Sequence, residues 1–252
     1  IEELKKIRQI ETRLSGRLQQ LAHPEEILNV GIGLMHSVAW MPRLLPLFHE
    51  HYPDVSVRLI EQGDELLLKA LQSNDADIII GGMPVSTQDV TVTLALEQLL
   101  LIVPRAFNII PSWAYTGNSY ENPYEIDPKQ LQGLPLILPS TVNDIGGITN
   151  QVLEHFDIRP KFVTTVDSMQ TAAMLVAQDM GYLFTSPIFL KAQMAELAPN
   201  IVYCMARGIP DSRKIVAVYH SDTYKEEMIS QFLKLLRVVM FKDQPGMFPL
   251  DG

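Results

Sequence analysis

The chain of 252 residues holds one cysteine, Cys204, in the apolar stretch "NIVYCMARG". A single thiol cannot close an internal disulfide, which removes the cross-linked secreted scaffolds and fits a reducing compartment. Its apolar flanks mark Cys204 as a buried structural thiol, not a nucleophile. No apolar run approaches the roughly 18 residues needed to cross a bilayer. No basic-then-apolar leader opens the chain either, since the start "IEELKKIRQIETRLSGRLQQL" is charged throughout. The first residue is Ile1 and not a methionine, as in a fragment or a processed product.

Positive charge is scarce. Lys and Arg number 20 against 29 Asp and Glu, for a formal charge of −9, which argues against these residues gripping nucleic acid by themselves. Catalytic signatures are missing too: there is no Gly-x-Ser-x-Gly elbow, Walker loop or Cys–His pair. Among the histidines only His49 and His51 stand close together, and on a helix they point about 200° apart. They read as a solvated face. The expectation is therefore no catalytic set, no metal and no cofactor.

What is present is an ordinary globular composition, 47% hydrophobic and 19% charged, at a length that suits one large domain or two small ones. Residues 1–22 carry Ile1, Leu4, Ile7, Ile10, Leu14, Leu18 and Leu21 at helical spacing, and His23-Pro24 stops the pattern. Such a helix needs a surface to cover; a partner helix or its own domain would serve.

A repeat follows. The first copy reads strand Leu28–Gly33, loop, helix Arg43–His51, strand Val55–Ile60, helix Leu66–Ser73, strand Ile78–Gly81. The second reads strand Leu136–Leu138, the loop "PSTVNDIGG", helix Ile148–Phe156, strand Phe162–Val166, helix Gln170–Gln178, strand Tyr182–Thr185. Pro53 matches Pro160, Gly63 matches Asp167 and Ile79 matches Leu183. Right-handed crossovers close each βαβαβ copy into a parallel sheet, and ligands of such sheets bind beyond the carboxyl ends of the strands. "LEQLLLIVPRAF" and "RKIVAVYHSD" are apolar strands placed to cross between lobes, and a helix over 224–241 returns to the first lobe. Residues 111–128 read as a surface loop and 243–252 as an irregular tail.

The stretch "NVGIGLMHSVAWMP" begins like a dinucleotide fingerprint, with Gly31 and Gly33, but His36 occupies the place of the third glycine. With Phe48-x-x-x-Tyr52-Pro53-x-Val55, the Gly63 turn and the Asp77-Ile78 strand, the run instead resembles the effector-binding domain of LysR-type transcriptional regulators. "LPLILPS", "LVAQDMGYLFTSP" and "KIVAVYHSDTYKEEMISQFLKLLR" continue the likeness over about 27–241. Two departures stand out: Asp179 precedes Met180-Gly181 where the family usually has Gly-x-Gly, and the 111–128 loop is long.

The resemblance implies an α/β fold of two Rossmann-like lobes joined by two crossover strands, like a type 2 periplasmic binding protein, preceded by a linker helix. It implies a dimerisation helix over 1–24, a regulatory subdomain from 27–100 and 220–242, a second from 101–219, and a tail over 243–252. The family's winged helix-turn-helix DNA-binding domain would precede Ile1. Effector contacts are expected at Met35, His36 and Ser37, where backbone amides at a helix start favour an anionic or polar group. Asp64 at the next turn, Gly82 and Met83 after the third strand, Ser140, Thr141 and Asn143 in the second lobe, and Thr185 and Ser186 near the hinge complete the set. The partners implied are a small-molecule effector, a second or further copies of the chain as homodimer or homotetramer, and operator DNA through the missing domain only, with no membrane, in the cytoplasm. A periplasmic solute-binding protein of the same architecture is the alternative, and a two-lobed enzyme of related fold stands behind it.

Overall fold

The computed structural model describes residues 27–82, 89–140, 144–191, 194–210, 212–242 and 246–249. The helix expected over 1–24 lies outside these residues. Among the described residues two compact units result, one from 27–94 and 215–242, the other from 95–214 and 246–249. The unit changes fall a few residues before the boundaries at 100/101 and 219/220 drawn from the sequence.

In the first unit, β1 (Ile27–Ile32) leads into α1 (Leu34–His51), β2 (Ser56–Glu61), α2 (Asp64–Gln72) and β3 (Ile78–Gly81). Strand β4 (Val90–Gln98) then runs on into the second unit; the chain returns through β11 (Ser212–Tyr219) and α5 (Glu226–Phe241). Within this unit β1 pairs parallel with both β2 and β3, and β11 lies antiparallel on β3, in the order β4-β11-β3-β1-β2. The triplet Ile78-Ile79-Ile80 is fully buried, as a strand covered on both faces requires. Helix α2 sets Leu67 and Leu71 against Ile79, Val216 and Val218, each such buried side chain contributing roughly 1.5–3 kcal/mol. Gly31 permits that approach: a Cβ there would stand 2.8 Å from Ile79 Cγ2 and 3.0 Å from Leu67 Cδ2. Helices α1 and α5 pack through Phe48 and Phe232, edge to face at 5.3 Å.

The start of α1 corrects the sequence reading. Proline inside a helix removes an amide donor and crowds the preceding turn, so the helix was expected to begin near Pro42 with His36 and Ser37 in a loop. Instead α1 begins at Leu34 and carries both Pro42 and Pro46 in its interior. Both prolines are exposed while Trp40, Leu44 and Phe48 are fully buried, so burial of the opposite face outweighs two missing backbone bonds.

The second unit contains β5 (Leu100–Pro104), β6 (Tyr124–Ile126), β7 (Leu136–Pro139), α3 (Asp144–His155), β8 (Val163–Val166), α4 (Met169–Ala177), β9 (Leu183–Thr185) and β10 (Ile201–Ala206). The tail adds β12 (Met247–Phe248). Strands β7 and β8 form a two-stranded parallel sheet, and β6-β10-β5-β9 form a second sheet. The three parallel strands expected for the second copy are thus incomplete. Strand β9 pairs antiparallel with the fully buried β5 and touches β7 only through a parallel bridge, Leu136 to Tyr182. The long apolar run read as one strand breaks at Leu99 into β4 and β5.

Two further expectations need correction. The 111–128 segment is no open loop: β6 pairs parallel with β10, and the Asn118 side chain exchanges two 2.8 Å hydrogen bonds with the Tyr203 backbone, as a neighbouring strand would. The tail is not irregular throughout, because β12 pairs antiparallel with β4 and Gln98 N–H donates to Gly246 O at 2.7 Å.

Candidate functional site

The parallel register of the first unit places Ile32 opposite both Glu61 and Ile80. The carboxyl ends of β1, β2 and β3 therefore reach one edge of the sheet together, and with them Met35, His36 and Ser37, Asp64, and Gly82. Helices α1 and α2 both start there on glycine N-caps, Gly33 and Gly63, which bring no side-chain oxygen to the first-turn amides. The two helix starts differ in charge. Helix α2 carries Asp64 and Glu65 in its first turn, whereas α1 has no acidic residue there. An anionic group is thus complementary to the start of α1 and repelled at the start of α2.

His36 and Ser37 are buried, at 5% and 3% exposure. The His36 ring stacks on Trp40 with centroids 4.5 Å apart and planes 14° from parallel. Ser37 N–H donates to Gly33 O at 2.9 Å, closing the first turn of α1. Trp40 Nε1 is buried and has no hydrogen-bond partner among the described residues. Met83 lies outside them.

In the second unit the Leu136–Tyr182 bridge aligns β7 with β9, so Pro139 and Thr185 end level with each other and Ser140 and Ser186 follow at the same edge. Ser140 N–H donates to Val166 O at 2.8 Å, tying this edge to the end of β8. The first turn of α3 presses on it: a Cβ on Gly146 would lie 2.4 Å from Pro139 O. Thr185 and Ser186 are completely buried. Ser186 Oγ, like Tyr182 Oη, has no hydrogen-bond partner among the described residues. An orphaned buried hydroxyl costs roughly 1–3 kcal/mol, and a bound polar group recovers that loss. Thr141 and Asn143 lie outside the described residues. Tyr182 was missed in the sequence, although Tyr182, Phe184 and Ser186 alternate along one strand face.

Elsewhere the ionisable groups serve the fold. In the second unit Arg213 and Glu97 form a buried pair, with Nε and Nη2 both 2.5 Å from Oε2. Cys204 is fully buried and its thiol is pushed up to about 12 by burial. No cluster of three or more potential metal ligands occurs among the described residues, and His49 and His51 are exposed on α1. None of the described helices is long and apolar enough to cross a membrane.

The second unit also holds two neighbouring cavities, of about 330 and 680 Å³, on either side of the Gly208–Pro210 turn. None of the residues expected from the sequence lines either of them.

Comparison with known proteins gives a consistent result. The profile of the LysR substrate binding domain matches residues 22–240. A probable RuBisCO transcriptional regulator of Porphyra purpurea is 26% identical over 81% of this chain and 63% of its own length. A RuBisCO operon transcriptional regulator of Acidithiobacillus ferrooxidans is 24% identical over 71% of the chain and 54% of its own. The chain thus spans between about half and two thirds of the length of these curated relatives. Among solved structures, the regulatory domain of MetR, a LysR family regulator from N. meningitidis, superposes with a TM-score of 0.70 at 16% identity, covering 90% of this chain and 100% of that one. The CcmR regulatory domain of Synechocystis PCC6803, in complex with 2-PG, gives a TM-score of 0.70 at 17% identity over 86% and 99%. These likenesses carry the fold: two α/β units of the type 2 periplasmic-binding-protein kind.

Proposed function

The chain belongs to the LysR substrate binding domain family, the effector-binding regulatory part of LysR-type transcription regulators, and from that premise we propose how it senses. A small anionic or polar metabolite binds at the carboxyl ends of the parallel strands, contacted by Met35, His36 and Ser37 with Asp64, Gly82 and Met83. In the second unit Ser140, Thr141, Asn143, Thr185 and Ser186 are the proposed effector contacts. The observation that carries this reading is the charge asymmetry at the shared strand edge, where α1 starts on Gly33 with no acid in its first turn. The orphaned Ser186 hydroxyl supports it.

Occupancy shifts the equilibrium between conformations only through unequal affinity for them. In the full protein that difference reaches operator DNA through a winged helix-turn-helix segment outside this chain, within a homodimer or homotetramer in the cytoplasm. No catalytic role is assigned to it. The 2-PG of the CcmR complex makes a small phosphorylated carboxylate the first effector class to try.

The test is calorimetric titration of the chain with a panel of small carboxylates and phosphorylated acids, 2-PG among them. Saturable 1:1 binding that weakens at least tenfold in Ser186→Ala supports the reading. Binding untouched by Ser186→Ala and Ser37→Ala overturns the site.

A further inference from the structure

Away from the strand ends, the second unit carries the cavity of about 680 Å³ between α3 and the turn that joins β10 to β11. Its size falls inside the range of small-molecule pockets, roughly 300–1,000 Å³. Ile148, Val152 and Phe156 recur every fourth residue along α3 and beyond its end, and they face the cavity together with Leu99, Ile209 and Pro210. The turn closes tightly at Gly208, whose φ is +78° and where a Cβ would sit 3.4 Å from Phe156 Cζ.

Its polar side is built as carefully as its apolar one. Arg213 lines the cavity with its side chain only 9% exposed, and its charge is matched by the fully buried Glu97 at 2.5 Å. Ser212 and Gln151 supply a hydroxyl and an amide, and the exposed Glu154 and His155 form the solvent side. An anionic ligand meets a cation already neutralised by Glu97 and a second carboxylate at Glu154. A cation meets the same balanced pair and finds no buried counter-charge, only Glu154 on the solvent side. The lining therefore opposes an anion, offers a cation only a solvent-screened carboxylate, and suits an uncharged apolar body.

We infer that this cavity is a second ligand site, for a small uncharged molecule with a ring-sized apolar body and one hydroxyl or carbonyl group. No strand-edge residue lines it, so it stands or falls independently of the effector site proposed above. Ligand here fixes α3 against the Gly208–Pro210 turn. Because β11 follows that turn and runs on into the first unit, occupancy has a covalent route to the rest of the domain.

The experiment titrates the whole methyl-labelled chain with benzyl alcohol, and with benzoate as its anionic counterpart. Saturable shifts of the Ile148, Val152 and Ile209 methyls are expected, with benzoate at least tenfold weaker. Ile209→Trp should fill the cavity and abolish the shifts while the melting curve stays unchanged. Gln151→Trp, from the exposed side of α3, does the same should the turn reject Trp. Absence of saturable shifts at these methyls, equal affinity for benzoate, or shifts that persist in both Trp variants would overturn the proposal. So would concentration-dependent shifts with a dimer that Ile209→Trp breaks, because a second copy would then occupy the cavity.

Discussion

Lys225 Nζ lies 2.7 Å from Asp77 Oδ2 with the lysine side chain 1% exposed. The ammonium also donates to Ile27 O at 2.5 Å, and Asp77 Oδ2 accepts from Asn29 N–H and Asn29 Nδ2 at 2.7 and 3.1 Å. One buried ion pair thus joins the segment before α5 to the starts of β1 and β3. Removing one partner of such a pair strands the other, at roughly 3–5 kcal/mol. Asp77→Ala should lose about that much, because it leaves an ammonium in the core. Lys225→Met should lose much less, since Asp77 keeps both bonds from Asn29. Urea unfolding of the two variants gives the ranking, and equal losses would show that the buried charge is not the reason.

Gly31→Ala places a methyl 2.8 Å from Ile79 Cγ2, and overpacking of this kind costs about 1–3 kcal/mol. Gly33→Ala, with Gly33 at φ −63° and its nearest neighbour 3.5 Å away at His36 Nδ1, should be tolerated. Thermal melts of the pair check that close packing requires the first glycine and that neither packing nor backbone angle requires the second.

Ser186→Ala deletes a hydroxyl that has no partner among the described residues. Stability should hold or rise, by up to about 1 kcal/mol, while effector affinity falls. Paired melting and titration data are decisive, because a lowered melting point with unchanged affinity would make Ser186 structural.

Burial raises the Cys204 thiol from its ordinary value of 9.0 to about 12, and burial raises Tyr182 and Tyr203 as well. The folded state holds these protons longer than the unfolded chain does. The Cys204 contribution is whole below pH 9 and is lost as pH climbs from about 9 toward 12, at roughly 1 kcal/mol per pH unit, and the tyrosines add their loss only above pH 10. Alkaline unfolding that steepens above pH 9 is the expected profile. At pH 8 the thiol should react with a disulfide reagent only when the chain unfolds; rapid native labelling would contradict its burial.

Period and spacing were enough to place most elements of both βαβαβ copies, because β1–β3 and β7–β9 follow apolar runs and α2 and α4 follow helical stripes. Failures came where burial, not local preference, decides. Pro42 and Pro46 hid the first two turns of α1, whose inner face is held by Trp40, Leu44 and Phe48. Strands β6 and β12 hide in Pro- and Asn-bearing segments because each is short and takes its partner from a distant strand. At the candidate site, strand order predicted which residues share an edge. It could not predict that His36 lies against Trp40 or that the Ser186 hydroxyl is left without a partner, since both depend on tertiary packing.

The middle of the first sheet has a consequence for how the chain is made. Strand β11 sits between β4 and β3, yet it is separated from β3 by the whole of the second unit, and the packing partner of Phe48 is Phe232. A nascent chain cannot finish its first unit until α5 has emerged. The second unit, continuous from 95 to 214 and lacking only β12, can assemble before that. The unit begun first closes only after the body of the second, and until then its exposed β3 edge is the surface that a chaperone would have to guard.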